Sequence, residues 1–244
     1  MAIKWSLGEL LRLRKQPPAK PRRPESKFHA VSIKPGDNAC AAAHRFTGQR
    51  FLAAHGLQAG GYTAFVPGGR GEGRTATRVE PADVFIEAAA EFSRHTGQAA
   101  VVLTGRDRPA RPDDASDRLM LLPRLRPEDV QHLLAGAARV VSNGGTTLIH
   151  ALAYGQEIVC APLATDQARR IRRAARLGVV VPVAPAARSI ALATAELAAD
   201  RARGEALRQR AAELGLVNGV PEAVAALQRL ARPSSSPRLS LQEA

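Results

Sequence analysis

From Tyr62 to Leu230 the chain alternates short, mostly apolar runs with longer stretches whose apolar residues recur every three or four positions. The first kind reads as strand and the second as amphipathic helix. Strands are predicted at Tyr62 to Val66, Ala99 to Thr104, Arg118 to Leu122, Ala138 to Ser142, Glu157 to Ala161 and Val179 to Val183. Helices are predicted at Pro81 to His95, Pro127 to Ala135, Thr146 to Tyr154, Asp166 to Leu177, Arg188 to about Leu214, and Pro221 to Leu230. Pro81 and Pro127 suit a first helical turn, and Gly97, Gly136, Gly155 and Gly178 suit C-terminal stops. Strands apolar at nearly every position are those covered on both faces. The expected fold class is therefore α/β, a Rossmann-like parallel sheet with flanking helices.

Outside that block the pattern lapses. Residues 1–27, MAIKWSLGELLRLRKQPPAKPRRPESK, hold Trp5, Leu7, Leu10 and Leu11 near helical spacing, then a basic run broken by prolines. The favoured reading is a disordered basic N-terminal extension, because an isolated helix of barely three turns is marginal. The other reading is a surface anchor, in which Trp5 and the leucines enter lipid headgroups while Arg12, Arg14 and Lys15 meet anionic lipid. Residues 28–59 offer a short strand, a turn at Pro35-Gly36-Asp37 and a helix from Ala39, a small strand-helix unit. Residues 60–232 make the α/β domain, and residues 233–244, rich in Ser and Pro, read as a disordered tail.

At 244 residues and 45% hydrophobic content the chain has material for a real core. Cys40 and Cys160 share no metal-ligand or CxxC spacing, so neither a disulfide framework nor a zinc site is indicated. No apolar run approaches the roughly 20 residues that span a bilayer, and the start lacks a secretory signal's apolar core. The expected location is cytoplasmic, with any membrane contact peripheral and on the inner face. A net charge of +13 points to a polyanionic partner: nucleic acid, acidic lipid or a phosphorylated ligand. Only 4% of residues are aromatic and none interleave with basic ones, which disfavours nucleic acid.

In an open parallel sheet, ligands bind beyond the carboxyl ends of the strands, so the loops there are the places to search. The first, PGGRGEG, contains Gly68, Gly69 and Arg70; glycines let backbone amides approach a phosphate, and Arg70 adds a forked cation. A mobile surface loop is an equal reading. The second, Asn143-Gly144-Gly145-Thr146-Thr147, lies where a strand turns tightly into a helix. Helix-start N–H groups and two hydroxyls make that an anion site, with His150 on the same helical face as Thr147. Simple N-capping by Thr146 and an ordinary edge histidine at 150 are the plainer readings. The third, APLATDQARRI, sets Asp166 and Gln167 at a helix start, either as a cap or as partners for a hydroxyl-rich ligand. No carboxylate pair with metal-binding spacing occurs in the three loops, and no metal is expected.

The run SNGGTTLIHALAYGQEIVCAPLATDQARRIRRAARLG resembles the donor-binding signature of GT-B-fold glycosyltransferases, especially UDP-glycosyltransferases and the peptidoglycan N-acetylglucosaminyltransferase. Those families show a Gly-rich turn, a Ser/Thr, an acidic residue three positions on, a Gly-x-Pro strand entry and an Asp-Gln pair, and the run matches their order and spacing. The resemblance implies the C-terminal, donor-binding half of such an enzyme. It implies that Gly144, Gly145 and Thr147 hold a diphosphate, with Asn143 and Thr146 beside them, and that Asp166 and Gln167 bind sugar hydroxyls. It further implies that the loop with Gly68, Gly69 and Arg70 faces the phosphates, and that Arg124 and Leu125 in LLPRLRPEDVQHLL sit beside the base. Two positions depart from the families: His150 replaces the Glu that bonds the ribose, and Glu157 stands where Pro is usual.

On this reading the chain transfers a hexosyl group from a nucleotide-diphosphate sugar, a UDP-sugar by preference, with no separate cofactor. Only about 60 residues precede the donor domain, too few for an acceptor domain of equal size. The acceptor half is therefore expected to be largely missing or supplied by a second protein chain. The alternatives are a noncatalytic nucleotide-sugar-binding remnant and a basic adaptor at a membrane surface or on nucleic acid.

Overall fold

The computed structural model describes residues 48–68, 81–105, 112, 116–216 and 220–231. Its centre is a sheet of six parallel strands, β1 (Tyr62–Val66), β2 (Ala99–Leu103), β3 (Leu119–Leu122), β4 (Arg139–Ser142), β5 (Glu157–Cys160) and β6 (Val181–Pro182), in the order β3-β2-β1-β4-β5-β6. The helices are α1 (Pro81–Thr96), α2 (Pro127–Gly136), α3 (Thr146–Ala153), α4 (Thr165–Arg176), α5 (Ala187–Ala199), α6 (Arg201–Glu213) and α7 (Val220–Ala231). The expected Rossmann-like α/β class is what the chain adopts.

The near-continuous apolar strands have two faces to fill, and successive side chains fill them alternately. Tyr62, Ala64 and Val66 of β1, Val140 of β4, and Ile158 and Cys160 of β5 join one core with Leu133, Leu134, Leu148, Leu152, Ile171 and Ala174 from α2, α3 and α4. Phe65, Val141 and Val159 point the other way, into a core with Phe85, Phe92, Ile190 and Leu197 from α1 and α5. Each fully buried large side chain contributes roughly 1.5–3 kcal/mol, and on both faces the supply is dense. Burial also pushes the Cys160 thiol far above its ordinary range, so this cysteine acts as a small core residue.

A short helical segment at 48–54 packs on the first face rather than standing apart from it. Leu52 is buried beside Tyr62 and Leu133, and the Gly60 N–H donates to the Gly136 carbonyl at 2.8 Å. Tyr62 donates its hydroxyl to the Leu133 carbonyl at 2.6 Å. Residues 48–59, expected in the small leading unit, thus share the core of the α/β domain. The rest of that unit, the basic extension and the tail lie outside the described residues.

Two elements differ from the expected pattern, each for a local reason. The stretch from Arg188 to Leu214 is two helices, because Asp200 leaves the helical region (φ −96°, ψ 83°) and its carboxylate accepts the Arg203 N–H at 2.9 Å. It N-caps α6, as a short acceptor side chain does best. Strand β6 is only Val181–Pro182, at the sheet edge, where Pro182 lacks the N–H a further strand would use; the Val183 N–H just past it still donates to the Cys160 carbonyl at 2.9 Å.

Glu157, where the resembling families carry Pro, is buried at the start of β5 and held by two arginines. Arg139 Nε lies 2.9 Å from Glu157 Oε2, and Arg208 of α6 donates to Oε1. Arg139 also donates to Gln98 Oε1 at 3.2 Å and to the Ala198 carbonyl at 3.5 Å. This cluster sits at the amino ends of β4 and β5, opposite the candidate ligand loops, and ties α6 to the sheet. Replacing Glu157 by Gln leaves Arg139 buried without a counter-charge, and urea unfolding is expected to show a loss of about 3 kcal/mol. Arg208→Gln, with a side chain one-third exposed, is expected to cost about 1 kcal/mol in the same measurement.

Candidate functional site

The chain runs from β1 outward to β2 and β3, then returns past β1 to β4. Strands β1 and β4 are hydrogen-bonded neighbours, with Val66 beside Ser142 at their carboxyl ends. The loops that follow them leave in opposite directions, and the gap between is the topological switch point where such sheets bind ligands. The first and second loops singled out in the sequence are the two that meet there.

They meet closely. Gly68 has φ +90°, and a Cβ on it would lie 2.6 Å from Asn143 Nδ2, so both its conformation and its contact require glycine. Gly144 has φ +79°, and a Cβ there would lie 2.5 Å from Ile171 Cγ1 of α4. The β4–α3 turn is thus pressed between the β1 loop and α4. Its own side chains hold its shape: Gly144 N–H donates to Ser142 Oγ at 3.1 Å and Gly145 N–H to Asn143 Oδ1 at 2.9 Å. Asn143 and Ser142 are therefore turn formers, and their acceptors are already engaged.

The N-cap of α3 is Gly145, which has no capping side chain. Thr146, weighed as a cap in the sequence, is instead the first helical residue. Among the described residues, neither Thr146 nor Thr147 has a hydrogen-bond partner for its hydroxyl or its N–H. Four donors and the positive end of the α3 dipole are therefore uncommitted at the start of this helix. One turn on, His150 is half-buried and its Nδ1 is buried with no hydrogen-bond partner among the described residues. Burial lowers its pKa below the ordinary 6.5, so the ring is neutral near pH 7.

The third loop closes the same crevice from the β5 side. Gln167 Oε1 accepts from the N–H groups of Leu163 and Ala164, at 2.8 and 3.0 Å. The carboxamide oxygen is thus spent on shaping the loop, and only its NH2 remains for a ligand. Asp166 is not the N-cap, which is Ala164; its carboxylate pairs with Arg170 one turn along. Arg170 also donates to the Gly144 carbonyl at 3.4 Å, so it bolts the start of α4 to the glycine turn. Arg170, Ser142 and Ile171 are parts of the site that the sequence reading passed over. The i,i+4 spacing of Asp166 and Arg170 was the available signal for one of them.

Gly68, Asn143, Gly144, Gly145, Thr146, Thr147, His150, Asp166 and Gln167 thus gather around the carboxyl ends of β1, β4 and β5. Arg124 and Leu125 lie apart, after β3, three strand spacings or roughly 14 Å along the same edge. Arg124 is exposed, and Leu125 lines a groove with Phe51, His55 and His132. Gly69 and Arg70 lie outside the described residues.

No known family profile matches the sequence and no curated protein is significantly similar to it. Solved structures are similar in fold. A putative UDP-N-acetylglucosamine 2-epimerase from Listeria monocytogenes matches 77% of this chain and 48% of its own at 14% identity and TM-score 0.57. UGT2 of Phytolacca americana, solved with UDP-2-fluoro-glucose and pterostilbene, matches 73% of this chain and 44% of its own at 20% identity and TM-score 0.54. The calicheamicin glycosyltransferase CalG4 matches 72% and 43%, at 23% identity and TM-score 0.53. The described domain is therefore a GT-B-like half, and the chain spans less than half the length of these neighbours. Among the described residues no helix is long and apolar enough to cross a membrane.

Two outcomes follow from this geometry. Gly144→Ala is strained in φ and driven into Ile171, and thermal unfolding is expected to show a loss of about 3 kcal/mol. Gly145→Ala, at φ −78° with its nearest neighbour at 3.0 Å, is expected to cost about 1 kcal/mol. For His150 the sign is set by its lowered pKa. The unfolded chain takes up the proton first as pH falls below 6.5, so folding stability drops through that window. Urea midpoints taken at about pH 7.5 and about pH 5.5 should fall further for the native protein than for His150→Gln. Equal falls would show that the ring plays no part.

Proposed function

We propose that this chain is the nucleotide-sugar-binding half of a glycosyltransferase whose acceptor half comes from a second protein chain. The observation that carries the reading is the α3 start, where uncommitted N–H and hydroxyl donors of Thr146 and Thr147 face a crevice shaped by Gly68 and Gly144. Such a crevice takes a diphosphate. The donors and the helix dipole then stabilise negative charge as it develops on the leaving group. His150, neutral and half-buried one turn along α3, is the side chain this reading assigns to a ribose hydroxyl, which offers both a donor and an acceptor. The Gln167 NH2 and the Asp166 Oδ1, whose Oδ2 is held by Arg170, are left for sugar hydroxyls.

The edge from β4 to β3 is long enough for an extended nucleoside diphosphate, which supports Arg124 and Leu125 as neighbours of its base. A UDP-sugar is the preferred donor, since two of the similar structures contain UDP or a UDP-sugar. Removal of the acceptor's proton needs a base across the cleft, and the reading assigns it to the partner chain. On this reading the partner has a defined job: to cover the carboxyl edge of this sheet.

Isothermal calorimetry of UDP, GDP and TDP against the purified chain tests the proposal. UDP is expected to bind most tightly, and Thr147→Ala to weaken it about tenfold, the worth of one hydrogen bond to a charged group. Binding without transfer in any pairing with a second chain would favour the noncatalytic remnant. No binding by a folded chain would end the donor-domain reading.

A further inference from the structure

Helix α4 carries five arginines, Arg169, Arg170, Arg172, Arg173 and Arg176, against a single carboxylate, Asp166. Arg170 uses that carboxylate and the Gly144 carbonyl. The other four fall at i, i+3, i+4 and i+7, one face of a helix about 10 Å long over that stretch. Arg169, Arg172 and Arg176 are exposed, and none of the four has an ion-pair partner among the described residues. Arg173 Nε is buried without a hydrogen-bond partner. Burial, with the like charges of Arg176 and Arg169, lowers its pKa. Four neighbouring guanidiniums repel one another, and an anionic surface laid across them relieves that repulsion.

We propose that the arginine face of α4 is a docking surface for an anionic lipid bilayer. The opposite face of the helix is occupied, with Ile171 and Ala174 buried in the core, so α4 rests on headgroups and does not insert. The docking face is dominated by guanidinium. It has no aromatic ring to stack on a base, and a duplex would have to match its fixed phosphate spacing to the arginines. Mobile anionic lipids need no such matching, because they gather beneath whatever spacing the arginines present. This surface is independent of the donor site and holds whether or not the chain transfers sugar.

Co-sedimentation of the full chain with vesicles tests it, using phosphatidylcholine alone and phosphatidylcholine with about a quarter phosphatidylglycerol. Binding is expected only to the anionic vesicles and should fall as salt is raised. Each exposed arginine is worth about fivefold in affinity, so Arg169→Gln/Arg172→Gln/Arg176→Gln should lose well over tenfold. The control, Arg201→Gln/Arg203→Gln/Arg210→Gln on α6, removes the same charge from exposed positions and should bind nearly as the native chain does. Circular dichroism should be unchanged in both. Native-like binding by the α4 variant, an equal loss in both variants, or no binding by the native chain each overturns the proposal. So does an α4 variant that loses affinity for a DNA duplex while keeping it for anionic vesicles.

Discussion

The site depends on one steric constraint: three chain segments meet at the β4–α3 turn with no room for a side chain between them. Gly68 lies against Asn143, and Gly144 lies against Ile171. The contact follows from the strand order. Because the chain leaves β1 in one direction and returns on its other side, the loops after β1 and β4 emerge next to each other and diverge. Backbone amides can face a ligand across that gap only if the loops approach closely, and close approach is what the missing side chains allow. A methyl group at Gly144 would push α4 away and carry Asp166, Gln167 and Arg170 with it.

Much of this arrangement is local, and local information is legible. The six strands and most helix limits can be read from apolar runs and from Gly and Pro, since both faces of a parallel sheet must be filled. The break at Asp200 was hidden because the residues on either side, alanine and arginine, are good helix formers; only the Asp200 carboxylate accepting the Arg203 N–H marks the junction. The order β3-β2-β1-β4-β5-β6 is not legible in any one segment, because parallel pairing joins residues far apart in the chain. The loops could be nominated from their glycines, but not the fact that two of them touch. Gln167 shows the limit most clearly. Its spacing beside Asp166 suggests a ligand contact, while its oxygen is already held by two backbone N–H groups.

The two departures from the GT-B signature have different physical meanings. Glu157 replaces a residue that needs no partner with one that needs two, and Arg139 and Arg208 are both there. Its cost is met at the amino end of the sheet, far from the crevice, so it belongs to the attachment of α6. His150 is at the other end and has no such provision: its Nδ1 is buried and unpaired, and burial alone lowers its pKa. A buried polar atom left without a partner costs roughly 1–3 kcal/mol. The first substitution is compensated within the fold; the second has no such compensation among the described residues.

Helix α4 joins these two themes. Its first turn is specified by the crevice, with Asp166 and Arg170 locked to the glycine turn and Gln167 shaping the loop before it. Its inward face is specified by the core, through Ile171 and Ala174. Neither demand reaches Arg169, Arg172 or Arg176, whose guanidiniums contact no carboxylate among the described residues and which any helix-forming polar residue could replace without loss to packing. Like charges at i, i+3 and i+4 cost a few tenths of a kcal/mol per pair, a burden that no carboxylate among the described residues offsets. A face that is unfavourable in isolation, on the helix that forms one wall of the crevice, is most simply explained by an anionic surface outside the chain.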